Sequence, residues 1–148
     1  MNDEVYGNAA TYFARAGMLG VNATYRLAPA AKWPGAAQDV GLLVQWLKAN
    51  AAAYGGDPSR IYLIGHSAGA THVATYVYLK DLHPADGPGI AGMVLMSGRY
   101  HFDPKPDDPN LANFQATPIH TGRPSNSNGE VDVSRVSIPA FSCPTRRV

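Results

Sequence analysis

Cysteine is almost missing from this chain of 148 residues: Cys143 stands alone. A single thiol excludes an internal disulfide and any metal centre built from clustered cysteines. It fits a reducing, cytoplasmic setting. Charge is scarce too, at 16% Asp, Glu, Lys and Arg with a formal net charge of +1. With so small an excess of one sign, nothing favours nucleic acid or an anionic membrane as a partner. No apolar run approaches the roughly 18 residues of a membrane span. Met1-Asn2-Asp3-Glu4 is acidic, with neither the basic nor the apolar region of a secretory leader, so none is expected on the chain as given. The five histidines, at 66, 72, 83, 101 and 120, form no helical i, i+4 pair with a carboxylate. Neither metal nor other cofactor is therefore expected.

What remains is a globular composition, 45% hydrophobic, in the length of one ordinary domain. Residues 3–16 read as a first helix: Asn2 or Asp3 caps it, Tyr6, Ala9/Ala10 and Phe13 recur at helical spacing, and Gly17 ends it. Residues 18–25 read as a short, mostly apolar strand, and 26–33 as an irregular connection. Pro34 opens a second helix with Val40, Leu43, Val44 and Leu47 on one face. Gly55-Gly56-Asp57-Pro58 is turn punctuation before the apolar run 61–64. A third helix follows from Ala70 to Leu79, in which Val73, Ala74, Val77 and Tyr78 are expected to face the sheet. Residues 90–96 give a further strand. This alternation predicts an α/β fold, a parallel sheet with helices on both faces.

The end of the chain departs from that pattern. Seven of the twelve prolines follow residue 103, no helical period survives, and the expectation is an irregular C-terminal tail with one poor edge strand at most. Two units follow: residues 1–108 as the α/β part and 109–148 as the tail.

The chemistry is concentrated in Gly65-His66-Ser67-Ala68-Gly69. A strand precedes it and a helix follows, the context required by the G-x-S-x-G nucleophile elbow. The turn holds the serine in a strained conformation and lifts its Oγ above the carboxyl end of the sheet. Side chains at 65 or 69 are expected to collide where strand and helix pass close, so glycine fits there. Ser67 is the candidate nucleophile. The Ala68 backbone N–H, at the start of the helix, is the candidate donor to a negative oxygen in the transition state. The competing reading is a glycine-rich βα turn that merely contains a serine. His66 is read as a neutral side chain packed under or beside the turn, His72 as facing away from it, and His83 and His101 as solvated loop residues.

Together with Tyr25-Arg26-Leu27-Ala28-Pro29, Trp33-Pro34, Asp39, Trp46-Leu47 and Gly55-Gly56-Asp57-Pro58, the elbow makes the chain resemble α/β-hydrolase-fold serine carboxylesterases. The likeness is to the hormone-sensitive-lipase-like and kynurenine-formamidase-like branch, over about residues 1–108. It implies hydrolysis of small-molecule esters, or of related amides, through an acyl-enzyme on Ser67. It also implies a His-Gly-Gly oxyanion loop before residue 3, and a triad acid and histidine after two further strands. None of these is recognisable here, so a partial hydrolase fold is expected, a fragment or a frameshifted product. Asp103, Asp107, Asp108 and Asp132 are the acids on offer, and His120 the histidine that follows some of them. Such a chain is expected to be inactive alone and to self-associate through exposed sheet edges. An arylformamidase-like amide hydrolase, and a non-catalytic interaction module that keeps the elbow as a structural turn, are the alternatives.

Overall fold

A computed structural model describes residues 3–100. The tail 109–148, with Asp108, Asp132, His120 and Cys143, lies outside the described residues, as do His101, Asp103 and Asp107. Helix α1 spans Asp3–Arg15. Its buried or half-buried side is Tyr6, Ala10 and Phe13, as the spacing requires. The helix ends in a Schellman motif. Gly17 takes φ +83°, its N–H bonds the Ala14 carbonyl, and the Met18 N–H bonds that of Phe13, both at 3.1 Å.

Residues 18–25 do not form the expected strand; only Asn22 makes an isolated bridge. The segment is tied to helices instead. Gly20 lies so close under α1 that a Cβ would run into the Ala10 carbonyl oxygen. Just downstream, the Arg26 N–H is taken by the Asp39 carboxylate at 2.9 Å, not by a neighbouring strand. Pairing is decided by which backbone donors remain available, and apolar composition does not report that.

Helix α2 spans Gly35–Asn50, with Pro34 as the residue before its first turn. The Pro34 carbonyl accepts from Ala37 and Gln38. A 3₁₀ turn over Ala51–Tyr54 follows, closed by Gly55 in the left-handed region. Strand β1 is Tyr62–His66, helix α3 is Ala68–Tyr78 and strand β2 is Gly92–Met96. The two strands are parallel, in the register Tyr62↔Gly92 to His66↔Met96, with α3 as the crossover. The pairing is extended at one end by the Ala91 N–H on the Ile61 carbonyl and at the other by the Ser67 N–H on that of Met96.

The core lies between the sheet, α3 and α2: Ala37, Val44, Leu47, Ile61, Leu63, Val73 and Tyr76. Alternation along β1 sends Leu63 and Gly65 into it and leaves Tyr62, Ile64 and His66 outside. On that outer face Tyr62, Ile64, Val94 and Met96 are 59%, 46%, 50% and 44% exposed. Among the described residues the face is open to solvent. No helix of the described residues is long and apolar enough to cross a membrane.

Helix α3 has two buried sides, and the second was not foreseen. Tyr78, expected at the sheet, is 71% exposed, whereas Tyr76 is 1% exposed. A helix wedged between a sheet and another helix must bury more than one stripe, and Tyr76 serves the side toward α2. Its ring lies over Gly41, where a Cβ would come within 2.9 Å of Tyr76 Cε2. Its hydroxyl donates to the Pro88 carbonyl at 2.8 Å. The edge of His83 meets the same ring at 5.9 Å, so His83 is half-buried and not the solvated residue expected. Replacing Tyr76 by Phe is expected to cost about 1 kcal/mol, from the lost hydrogen bond. Tyr76→Ala, which empties the space over Gly41, is expected to cost about 3–5 kcal/mol. Urea midpoints of the two variants give the comparison; equal losses would show that the ring contributes nothing.

Candidate functional site

The turn between β1 and α3 is set by one close crossing. A Cβ on Gly65 would lie 2.6 Å from the Ala70 Cα and 2.7 Å from the Ala70 nitrogen, so only glycine allows strand and helix to approach this far. Gly69 is different. No atom lies within 4 Å of a Cβ built there, so the collision expected at 69 does not occur among the described residues. The helix turns that position outward, and the steric demand falls on 65 alone.

Ser67 occupies the tip with φ +53° and ψ −122°, a conformation that side-chain-bearing residues rarely adopt. Both sides hold it there. Its N–H bonds the Met96 carbonyl at 2.9 Å, and its carbonyl accepts from Ala70 at 3.1 Å. Ser67 and Ala68 are both exposed. Ala68 is the first residue of α3, where backbone N–H groups have no partner within the helix and the helix dipole favours negative charge. The turn therefore presents a hydroxyl beside an amide that has no partner within its own helix.

The three described histidines are all engaged elsewhere. His66 Nδ1 shares a 3.0 Å hydrogen bond with the Tyr6 hydroxyl; the ring lies beside the turn, on the open face. The His72 ring meets Tyr25 edge-on at 4.7 Å, and its Nδ1 is buried without a hydrogen-bond partner among the described residues. Burial lowers its pKa, and the charge of Asp39 opposes this in part. His83 Nδ1 lies 3.1 Å from the Pro84 carbonyl. Among the described residues, no histidine or carboxylate is hydrogen-bonded to Ser67. No group of three or more His, Cys, Asp or Glu among them could hold a metal ion.

The other sequence motifs make contacts of their own away from the turn. Asp39, on α2, takes the Arg26 N–H together with Nε and Nη2 of the same residue, the last at 2.7 Å. With Arg26 about half exposed, such a pair contributes on the order of 1 kcal/mol or less; its value lies in fixing where Tyr25 meets α3. Asp57 Oδ1 accepts from the Ser59 N–H and hydroxyl at 2.8 and 2.6 Å, which holds its carboxyl below the usual range. Two features carried no recognised sequence signal. The Thr71 hydroxyl donates to the Arg99 carbonyl and accepts from the Arg99 N–H, both at 3.0 Å, stapling the loop after β2 to α3. Ser97, level with Ser67 at the end of β2, also has positive φ, +54°. A groove of about 510 Å³ runs along α3 between Trp33, Thr71, Tyr78, Leu95 and Tyr100. Neither Ser67 nor Ala68 lines it.

A family model described as the alpha/beta hydrolase fold matches residues 6–127. The chain belongs to the alpha/beta hydrolase fold family. The matched span of this hydrolase-fold chain runs on beyond residue 108, where the sequence resemblance was placed. Among curated proteins it is 40% identical over 74 residues to the esterase LipQ of Mycobacterium tuberculosis, covering 50% of this chain and 17% of that protein. It is 31% identical over 127 residues to phenmedipham hydrolase of Pseudarthrobacter oxydans, covering 78% and 25%. It is 41% identical over 75 residues to carboxylesterase NlhH of M. tuberculosis, covering 51% and 23%. The chain thus spans about a quarter or less of the length of these relatives.

Two outcomes test this account of the hydrolase-fold turn. Gly65→Ala is expected to lower stability by about 1–3 kcal/mol, because strand and helix must separate. Gly69→Ala, in the first turn of α3, is expected to be neutral or to stabilise by up to about 1 kcal/mol. Matched losses in urea melts would refute the single-sided crossing. Burial of His72 sets a pH dependence as well. Its folded pKa lies below the ordinary 6.5, so between those two values the unfolded chain binds more protons. Stability from this group is therefore full above about pH 6.5 and falls as pH drops through that window. His72→Leu is expected to flatten the slope of the urea midpoint between pH 7.5 and 5.5, and an unchanged slope would exclude His72 as its source.

Proposed function

We propose that this chain carries the nucleophile of a carboxylic ester hydrolase, with Ser67 attacking the substrate carbonyl to form an acyl-enzyme that water then clears. The observation that carries the proposal is the backbone of Ser67. A residue with a side chain is held at φ +53°, exposed, at the end of a strand and the start of a helix, in a chain of the alpha/beta hydrolase fold. A purely structural turn would do better with glycine at that position. The names of relatives such as the esterase LipQ and carboxylesterase NlhH support the ester class.

In this mechanism the substrate carbonyl carbon approaches Ser67 Oγ while its oxygen approaches the Ala68 N–H. As the oxygen gains negative charge, that amide and the positive end of α3 oppose the growing charge. The Oγ–C bond forms, the serine proton goes to a base and then to the departing alcohol, and the acyl group remains on Ser67. No base reaches Ser67 among the described residues, and missing the base costs on the order of 10⁶ in rate. A single oxyanion donor missing costs about 10²–10³. The chain by itself is proposed to turn over esters very slowly. The face carrying Tyr62, Ile64, Val94 and Met96, open among the described residues, is proposed to drive self-association. The setting proposed from its single Cys143 is cytoplasmic.

A fluorophosphonate probe and a p-nitrophenyl ester test the assignment. Slow labelling confined to the Ser67 peptide and abolished in Ser67→Ala is the expected result. Labelling or ester cleavage that survives Ser67→Ala would overturn it. An anilide cleaved faster than the matched ester would move the assignment to the amide-hydrolase class.

A further inference from the structure

We propose that Tyr6 is a positioning residue for the nucleophile turn, acting through His66 by the hydrogen bond between its hydroxyl and Nδ1. The role rests on Ser67 being the nucleophile. The residues concerned lie 60 positions apart in the chain, and the bond is 3.0 Å long. The rings approach with centroids 6.2 Å apart and planes tilted by 45°. His66 is the residue immediately before Ser67, so whatever fixes its ring also restrains the peptide that feeds the strained turn.

A conformation as sparsely populated as that of Ser67 persists only where neighbouring contacts over-determine it. Two such contacts have been described. From the helix side, the Gly65–Ala70 crossing sets how the chain enters α3. From the sheet side, the Ser67 N–H is bonded to the Met96 carbonyl. Neither reaches the open face, where the His66 side chain projects and Tyr6 of α1 meets it. Helix α1 is itself lightly anchored. Its seat is Ala10 over Gly20, a contact close in sequence, and Tyr6 supplies the link from α1 to the turn. One hydroxyl thereby links the first helix to the nucleophile turn.

The full-length chain is tested as Tyr6→Phe, His66→Phe and the double variant, with Tyr12→Phe as control; Tyr12 is on the same helix and 70% exposed. Hydrogen exchange is followed in peptides covering residues 3–15 and 61–71, together with the kinetics of fluorophosphonate labelling. Tyr6→Phe is expected to raise exchange in both peptides. It should slow the maximal labelling rate by about tenfold, the scale of one hydrogen bond, without changing the probe concentration at half-maximal rate. A positioning group affects the reactive geometry and not the affinity, whereas general loosening would move both. The double variant is expected to be no worse than either single one. Unchanged labelling and exchange in Tyr6→Phe, or the same changes in Tyr12→Phe, overturn the proposal. If the unsubstituted chain takes no label at all, the serine assignment fails and the positioning role with it. Exchange in residues 3–15 then still decides whether the Tyr6–His66 bond docks α1.

Discussion

Backbone meets backbone where β1 passes under the first turn of α3. No Cβ fits between Gly65 and Ala70, and the remaining geometry follows from that contact. The approach brings α3 down onto the sheet, which buries Val73 beside Leu63. It forces the chain to reverse within a single residue, which places Ser67 in the left-handed region with its side chain clear of the sheet. It also leaves the strand end level with Met96, so that the sheet's hydrogen bonding continues onto the Ser67 N–H. The strain at the serine is thus offset by packing that would be lost if the turn relaxed.

Around that contact the structure adds braces from three directions, and each is polar. Thr71 fastens the β2 loop to α3, Asp39 fastens the Arg26 segment to α2, and Tyr6 reaches His66 from α1. They suit their places because they are directional. Apolar packing secures the covered face of the sheet, but at the exposed carboxyl end of the strands little surface is left to bury, and hydrogen bonds fix position there better than area does.

How much of this could be read from the sequence depended on whether the deciding partner was local. The turn of residues 65–69 and the Schellman end at Gly17 are local, and the letters announced both. The parallel arrangement of β1 and β2 was implied by two apolar runs joined by a helix. The segment at 18–25 misled because its fate is decided by contacts with the flanking helices, at Ala10 and Asp39, and an apolar run says nothing about where its amides bond. Tyr76 and Tyr78 were exchanged for a similar reason: a helix pattern read against one neighbour cannot show the side that a second neighbour buries. Gly69 was assigned a steric purpose from its motif position, whereas the crossing needs only Gly65. The partners of Ser67 were not legible, since a base is defined by proximity in space and not by spacing along the chain.

The crossing also has a meaning for the order in which structure can accumulate. Its two members are five positions apart, from Gly65 to Ala70. The strands that flank it pair residues thirty apart, as Tyr62 with Gly92. Loop-closure entropy scales with the logarithm of that separation, so the shorter closure is cheaper by about 1.5 kcal/mol. The feature that demands the most unusual backbone is therefore also the one that asks least of the chain to bring its parts together. The longer closure of the sheet then adds the Ser67–Met96 bond that holds the strained turn in place.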